Sequence, residues 1–391
     1  MILVVEPQCY GYEHSDVNAA LLAVVRGAFP TEMILFYAEL SHLNLVKENT
    51  LLHKISSIEY HSIGIPNKKF SDARRLCAEW AFAKHVFHIA KGLKARRIIF
   101  ASITSAGLWS IKLLIRKYRN LDVIVIPHSI LESITDRPSI KKPWVFLFWF
   151  RYALIIWNMP RLRYLLFGES KGNELCKILP KLQSHVQSIN LPYFFKDYKK
   201  TLKSTSTLMR FGSFGEWHNK KGTDVFFKLA SEVHQKTDKN KSEFILIGHI
   251  GDPAMRKKIN TELIIPSIDR PLIREKFEEY ANKIDYAIFC FKPKSFRLTV
   301  SGSFYDALSY IKPIIAIKTP FFEYYFNEMG DIGYLCDDYN EILILIIDLI
   351  HNKPIKRYTE QCNNIIKGRE LLGVANSSVR MRDILDGSMP F

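Results

Sequence analysis

The sequence has 391 residues, of which 48% are hydrophobic and 24% are charged, and its formal net charge is +16. This composition excludes a disordered chain, and the length favours two domains over one. Six cysteines occur without a C-x-x-C pair, which argues against a zinc site or a disulfide framework and predicts a reducing compartment. The positive charge predicts an anionic partner, but no nucleic-acid-binding motif accompanies it, so we expect no nucleic acid.

The first half of the chain alternates short β-branched runs with helical patterns. Continuous apolar runs of this kind are typical of parallel strands that are buried on both faces. Strands are predicted at residues 2–6, 33–38, 96–102, 121–127 and 163–169. Helices are predicted between them, at residues 17–29, 72–93 and 105–118. This alternation predicts a doubly wound, Rossmann-like α/β domain, and we expect the first run to be a strand rather than a signal peptide.

Two histidines follow predicted strands of this domain. The stretch EPQCYGYEHSDVNAAL runs from the first strand through Gly11 into a helix, with Glu13 and His14 at the turn. His14 is a candidate general base near neutral pH, and a helix-capping segment with an incidental histidine is the alternative. His128 directly follows the fourth strand, where polar residues of doubly wound folds often act on ligands. A structural histidine is the alternative for His128.

The most apolar window of the chain, PWVFLFWFRYALIIWNM, spans residues 143–159. It is shorter than the roughly 20 residues of a membrane-spanning helix, and Arg151 interrupts it. Aromatic residues with cations on both sides suit a helix that lies on an anionic membrane surface. A buried helix between two domains is the alternative. The flanking cations are Lys141, Lys142, Arg161 and Arg163.

A polar, basic stretch without periodicity predicts a linker at residues 196–206, after a first domain of residues 1–195. The alternation then restarts, which predicts a second Rossmann-like domain over 207–370 and a C-terminal segment, 371–391, that packs back on the first domain. Strands are predicted at 207–214, 243–250, 286–291 and 313–317. Helices are predicted at 221–236, at 271–283, after Gly302 and at 340–351. Two such domains would face a cleft that receives ligands at the carboxyl ends of their strands.

The stretch RLTVSGSFYDALSYIKPIIAIKTP, residues 297–320, places Ser301, Gly302 and Ser303 directly before a helical pattern. The first N–H groups of a helix are unpaired and carry partial positive charge, and small residues let an anion approach them. Asp306 lies one turn inside this helix. An ordinary serine N-cap is the alternative. Earlier in this domain, Gly212 follows an apolar run and Lys221 precedes a helix.

The order of these elements resembles the C-terminal, nucleotide-sugar-binding domain of GT-B glycosyltransferases, specifically the family-four (group 1) enzymes. YDALSYIKPIIA resembles the family's "xEALAxGxPVIA" segment, and the resemblance covers most of residues 207–340. It implies that Gly212 and Lys221 hold the donor diphosphate. It also implies that Asp306, as the second acid of an E-x7-E motif, binds the donor ribose.

Two positions depart from the family pattern. Leu298 stands where the first acid of the E-x7-E motif is expected, and Ser213 stands where a basic residue usually follows the glycine. Arg297, next to the missing acid, is expected to supply a second cation. The resemblance thus implies a donor site made of Gly212, Ser213, Lys221, Arg297, Ser301, Gly302, Ser303 and Asp306. Its cations and helix N–H groups would stabilise the leaving diphosphate without a metal or a further cofactor.

The resemblance implies a glycosyltransferase that moves a sugar from a nucleotide diphosphate to a glycan or polyprenyl-linked acceptor in bacterial surface polysaccharide synthesis, covering O-antigen, capsule or exopolysaccharide. His14, His128 and Lys221 would be catalytic, and Gly11, Glu13 and His14 would bind the acceptor. We expect a cytoplasmic protein, peripheral on the inner face of the membrane. The alternatives are a nucleotide-sugar 2-epimerase of the same architecture and a non-catalytic nucleotide-sugar or glycan-binding protein.

Overall fold

The computed structural model describes residues 1–69, 71–128, 130–135, 148–196, 208–217, 221–250, 262–292 and 297–386, together with residues 256 and 259. The predicted linker, apart from residue 196, and the cations Lys141 and Lys142 lie outside these residues. The chain forms two compact units. The first contains Met1–Phe194 and the C-terminal segment from Leu372, and the second contains Phe195–Leu371.

The first unit is built on a parallel sheet of seven strands. The strands are β1 (Ile2–Val5), β2 (Ile34–Ala38), β3 (Ile58–Ser62), β4 (Arg97–Phe100), β5 (Asp122–Val125), β6 (Leu162–Phe167) and β7 (Val186–Ile189). Their order across the sheet is β3-β2-β1-β4-β5-β6-β7, and every residue of β1 is buried. The helices are α1 (Ser15–Ala28), α2 (Leu40–Leu52), α3 (Asp72–Gly92), α4 (Ser105–Leu114), α5 (Phe150–Ile155) and α6 (Glu169–Ile178).

The second unit repeats this plan with a parallel sheet of six strands. The strands are β8 (Met209–Trp217), β9 (Ser242–Ile250), β10 (Leu263–Ile264), β11 (Tyr286–Phe289), β12 (Ile314–Ile317) and β13 (Gly333–Cys336). They lie in the order β10-β9-β8-β11-β12-β13. The helices are α7 (Thr223–Lys236), α8 (Arg274–Lys283), α9 (Gly302–Ser309), α10 (Pro320–Met329), α11 (Tyr339–His351) and α12 (Ile355–Leu372).

The predicted architecture of two Rossmann-like, doubly wound units is therefore confirmed. In both sheets the first strand of the unit lies inside the sheet, third from one edge, and the strand order reverses beside it. This reversal separates the loops that follow β1 and β4, and likewise those that follow β8 and β11. Ligands of doubly wound proteins bind at such a point, outside the carboxyl ends of the strands.

The aromatic window is described only from residue 148 onward. Its helix α5 buries Phe150, which is 1% exposed, whereas Trp157 is 52% exposed. Arg161 and Arg163 each donate a hydrogen bond to a main-chain carbonyl of the first unit, at 3.0 and 2.7 Å. The window therefore contributes both to the core and to the surface. Among the described residues, no helix has the length and apolarity needed to cross a membrane.

The last helix, α13 (Val374–Asp386), packs against α1 of the first unit. Arg382 donates from Nε to the carbonyl of Ala28 at 2.8 Å, which satisfies an otherwise open helix C-terminus. Gly27 lies at the closest approach of the two helices: a Cβ atom built there would come within 2.9 Å of the Ser378 Cβ. Glycine is thus required at this position of α1 by the Ser378 side chain of α13 and not by its own dihedral angles.

We predict that Gly27→Ala lowers the free energy of unfolding by about 1–3 kcal/mol, because the added methyl group overpacks this contact. Adding Ser378→Gly removes the opposing side chain and should restore a large part of that loss. Urea denaturation of the two single variants and of the double variant measures both effects. Gly92→Ala is the control, since a Cβ atom there meets nothing within 4 Å. Additive losses in the double variant would contradict the predicted contact.

Candidate functional site

The loop between β1 and α1 is organised by a buried carboxylate, Glu6, which is 1% exposed. Its Oε1 accepts hydrogen bonds from the main-chain N–H groups of Gln8, at 2.8 Å, and Cys9, at 3.2 Å. The hydroxyl of Ser102, which follows β4, donates to the same oxygen. Glu6 therefore joins the loops on the two sides of the point where the strand order reverses.

A side-chain network extends from Glu6 to the turn at Gly11. Asn18 donates one amide hydrogen to Glu6 Oε2 at 3.1 Å, and its Nδ2 lies 2.8 Å from His42 Nε2. His42 Nδ1 lies 2.8 Å from the carbonyl of Gly11, which can only accept. The consistent arrangement is a neutral His42 that donates from Nδ1 and accepts at Nε2. Gly11 has a φ of 51°, and this network fixes it in the left-handed region that favours glycine.

Glu13 and His14 lie at the end of the loop that this network holds. The Glu13 carboxylate pairs with the ammonium of Lys68 and accepts from the main-chain N–H of Tyr10 at 3.1 Å. Desolvation opposes ionisation of Glu13, but these two donors outweigh it and hold its pKa below the usual value. His14 is the N-cap of α1 with a φ of 53°, and no side chain caps that helix. Glu13 is thus a paired anion.

His14 and His128, predicted separately from the sequence, lie in contact. Their ring centroids are 4.5 Å apart and the rings are perpendicular. Desolvation lowers the pKa of His14 below 6.5, and it lowers the pKa of His128 further, with the positive charges of His14 and Lys171 adding to the effect. The Nδ1 of His128 is buried without a hydrogen-bond partner in the described part of the chain. Both rings are therefore neutral at pH 7 and able to accept a proton.

The histidine pair borders a cavity of about 420 Å³ in the first unit. Its remaining walls come from the β1–α1 loop, from the segment before α3 and from the residue that follows β4. They are Gln8, Cys9, Tyr12, Glu13, Lys68 and Ser102. Its polar side chains, set in a largely apolar wall, and its place outside the carboxyl ends of β1 and β4 are features of a ligand site.

In the second unit, Lys221 lies at the N-terminus of α9. Its Nζ is 3.0 Å from the hydroxyl of Ser303, in the first turn of that helix. Ser301 is the N-cap residue, yet its side chain caps nothing, and its hydroxyl is buried with no partner in the described part of the chain. A Cβ atom built on Gly302 would meet nothing within 4 Å. A cation, an unused hydroxyl and open main chain thus converge on one helix N-terminus, as anion binding requires.

Two glycines let the main chain approach this lysine. Gly215, near the end of β8, has a φ of 94°. A Cβ atom there would lie 2.6 Å from Ser303 Oγ and 2.9 Å from Lys221 Nζ. Gly222, with a φ of 70°, would place a Cβ atom 2.8 Å from the carbonyl carbon of Cys290. Neither position accepts a side chain without displacing the groups around Lys221.

The ammonium of Lys221 is poorly solvated, which lowers its pKa to about 8. The carboxylates of Asp306 and Glu216 oppose this shift by stabilising the positive charge. Asp306 is half-buried inside α9, and Glu216 is exposed near the end of β8. Lys221 and Asp306, which the sequence placed in one donor site, thus interact electrostatically in this structure, and Glu216 is a second acid that the sequence did not indicate.

The other residues predicted for the donor site have different surroundings from this cluster. The strand β8 ends at Trp217, three residues later than predicted, so Gly212 and Ser213 lie well inside it. The Ser213 hydroxyl donates to the carbonyl of Ile288 at 2.8 Å and links two strands. Leu298, at the place of the missing acid, is 1% exposed and belongs to the core. Arg297 beside it is exposed.

Among the residues that the structure describes, no group of three or more His, Cys, Asp or Glu side chains is close enough to hold a metal ion. Asp337 and Asp338 are exposed, and Asp338 accepts hydrogen bonds from the first N–H groups of α11 as its N-cap. Sequence reasoning missed Glu6, Asn18 and His42. Of these three, only Glu6 could have been predicted from the sequence, because a carboxylate at the end of an otherwise apolar strand requires hydrogen-bond donors.

No protein-family model and no curated protein sequence matches the chain. Solved structures do. HepE from Anabaena, in complex with UDP and glucose, is 13% identical, with 99% of this chain and 100% of that chain covered and a TM-score of 0.64. WaaG, a glycosyltransferase involved in lipopolysaccharide biosynthesis, is 10% identical, with coverage of 99% and 100% and a TM-score of 0.61.

A candidate UDP-N-acetylglucosamine 2-epimerase from Listeria monocytogenes is also similar, at 13% identity with a TM-score of 0.53. The alignment covers 99% of this chain and 96% of that chain. At such identities, likeness establishes the fold alone. The chain therefore has the GT-B fold, as its sequence predicted.

We predict that the free energy of unfolding decreases as the pH falls below about 6.5, the ordinary pKa of histidine. Since the pKa of His128 is lowered in the folded state, the unfolded state binds more protons in this range, and acid favours unfolding by at most about 1.4 kcal/mol per pH unit for one such group.

His128→Asn should flatten this dependence between pH 5 and pH 7, whereas His88→Asn, at an exposed position of α3, should leave it unchanged. Urea denaturation at a series of pH values measures the slope. An identical slope in the wild type and in His128→Asn would exclude a depressed pKa for this ring.

Proposed function

We propose that the protein is a glycosyltransferase that transfers a sugar from a nucleotide diphosphate donor. The observation that carries this proposal is the cluster at the N-terminus of α9. There, the Lys221 ammonium, the unpartnered hydroxyl of Ser301 and the open main chain at Gly302 meet. The cluster lies outside the carboxyl ends of β8 and β11, where the strand order reverses. HepE, which shares the fold, was solved with UDP and glucose.

The chemistry of such a transfer requires stabilisation of the leaving diphosphate, which gains negative charge as the glycosidic bond breaks. In this proposal Lys221 faces that charge together with the helix N–H groups, and because their positions are fixed before the reaction, little reorganisation is needed. With a pKa of about 8, Lys221 is mostly protonated at pH 7. Asp306 would bind the donor ribose, and Arg297 would supply a second cation.

The histidine pair of the first unit is proposed to serve the acceptor. A neutral His14 beside a neutral His128 can take the proton from an acceptor hydroxyl, and Gly11 and Glu13 shape the turn beside it. A transfer that inverts the anomeric configuration needs such a base. In a transfer that retains the configuration, the histidine pair would only bind the acceptor.

The acceptor that we propose is a glycan or a polyprenyl-linked sugar of bacterial surface polysaccharide. WaaG, of the same fold, acts in lipopolysaccharide biosynthesis. The net charge of +16 and the exposed Trp157 of the aromatic window support a peripheral position on the anionic inner face of the membrane. Hexosyl transfer is the form of the reaction that the fold analogy favours.

The direct test of the proposal is a screen of nucleoside diphosphates and nucleotide sugars for thermal stabilisation. A ligand at 100 times its dissociation constant adds about 2.7 kcal/mol to the free energy of unfolding. Stabilisation by one nucleotide family identifies the donor, and product formation with candidate acceptors then tests transfer. No stabilisation by any nucleotide would refute the proposal, and binding without turnover would favour a non-catalytic binding protein.

We predict that Gly302→Val abolishes nucleoside diphosphate binding and that Asp306→Ala weakens it. A side chain at 302 points into open space in the free protein, so it should obstruct the phosphates without harming the fold. Calorimetric titration measures both affinities. Gly64→Val is the matched control, because a Cβ atom there also meets nothing within 4 Å. Unchanged affinity in both site variants would remove α9 from the donor site.

We further predict that donor affinity falls by about tenfold between pH 7 and pH 9, as Lys221 loses its proton above its pKa of about 8. Lys221→Arg, which keeps its charge, should bind the donor with no such fall. Lys221→Ala should lower kcat more than it raises KM, because the cation matters most once the leaving group is charged. A pH dependence that persists in Lys221→Arg would assign it to another group.

A second candidate function is nucleotide-sugar 2-epimerisation, which the likeness to the Listeria monocytogenes structure favours. An epimerase of this type would act on the sugar of its own substrate and would need no acceptor. Conversion of a nucleotide sugar into its 2-epimer, without added acceptor and without net release of nucleoside diphosphate, would favour epimerisation. Strict dependence of turnover on an acceptor would favour transfer.

A further inference from the structure

A basic groove lies in the first unit at the amino ends of β4 and β5, the edge of the sheet opposite to the histidine pair. Its volume is about 710 Å³, which is within the range of small-ligand sites. The groove is formed where α3 and α4 end and the chain turns into the two strands. Five of its ten lining residues are cations: Lys91, Lys94, Arg96, Lys117 and Arg119.

Among the residues that the structure describes, no carboxylate pairs with the cations of this groove. Among the described acids near the groove, Glu32 pairs with the N-terminal ammonium and also lies close to Arg96, and Asp122 lies at the start of β5. Asp386 lines a neighbouring pocket with Arg96 and pairs with Arg97. The C-termini of α3 and α4 contribute only about half a negative charge each. A substantial positive excess remains.

Lys94 occupies a backbone position that normally belongs to glycine. It follows the C-cap of α3 with a φ of 52°. The N–H of Ala95 donates to the carbonyl of Ala90 at 2.8 Å, and the N–H of Lys94 donates to that of Lys91 at 3.1 Å. These two bonds form a Schellman motif, in which glycine is usual at the position of Lys94. A lysine here carries a conformational cost that a glycine would not, and it places a fifth cation at the groove.

We propose that this groove binds the phosphate groups of an anionic ligand, independently of the proposed transfer reaction. Lysine and arginine side chains from two helix ends surround a concave space, and such cations bind phosphate oxygens through charge-assisted hydrogen bonds. The phosphates belong either to a soluble phosphorylated molecule or to lipid head groups. The concave shape suits a discrete ligand better than a planar bilayer.

Inorganic tripolyphosphate, titrated calorimetrically at physiological ionic strength, is the first probe. Phosphatidylcholine vesicles with and without phosphatidylglycerol, in a sedimentation assay, are the second. The groove variant combines Lys94→Gly with Lys117→Gln. Lys94→Gly removes a charge at a position where glycine relieves backbone strain, so loss of folding is not expected. The control combines Lys356→Gln with Lys367→Gln, two exposed lysines of α12, and removes the same charge.

We expect the groove variant to bind at least one probe about tenfold more weakly than the wild type, with the control unchanged. Loss of tripolyphosphate binding assigns the site to a soluble ligand, and loss restricted to phosphatidylglycerol vesicles assigns it to head groups. Equal losses of probe binding in the groove variant and in the control variant would show that only the net charge matters, and would overturn the proposal. Absence of binding to either probe, or binding only to a single-stranded RNA added as a third probe, would also overturn it.

Discussion

The burial of one carboxylate, Glu6, constrains the whole candidate site of the first unit. A charge with 1% exposure is tolerated only when donors surround it, and here they come from its own loop, from α1 and from the loop after β4. Asn18 extends this network to His42, which contacts the carbonyl of Gly11, and the same loop carries His14, whose ring lies against His128.

The accuracy of the sequence-based prediction of the fold depended on where each strand lies in its sheet. The central strands, such as β1 with four buried residues, have continuous apolar runs and were all predicted. The strands that were missed, β3, β7, β10 and β13, are the outermost strands of the two sheets. β3 reads IEYHS with no fully buried residue, because an edge strand has less core to contact. Weak burial therefore accounts for the miss of β3 but not for that of β7, which reads VQSI and has three of its four residues buried.

Residues of the candidate site could be predicted where the residue type itself is unusual at its position. The contacts between these residues could not be predicted. Lys221, Ser301 and His128 stood out because a cation, a small residue or a histidine at a strand or helix end needs an explanation. Their partners are far away in the sequence: Ser303 lies 82 residues from Lys221. No local pattern predicts that His14 and His128 touch, because the sheet order that joins their loops is a property of the complete unit.

Leu298 restricts how this chain could change. In the family that the sequence resembles, the corresponding position bears a carboxylate, whereas here the side chain is 1% exposed in the core of the second unit. A glutamate introduced there would be a buried charge without an arranged partner, which destabilises proteins by several kcal/mol. An acid at this position would first require repacking of the segment before α9, so the core of the second unit restricts position 298 to an apolar side chain.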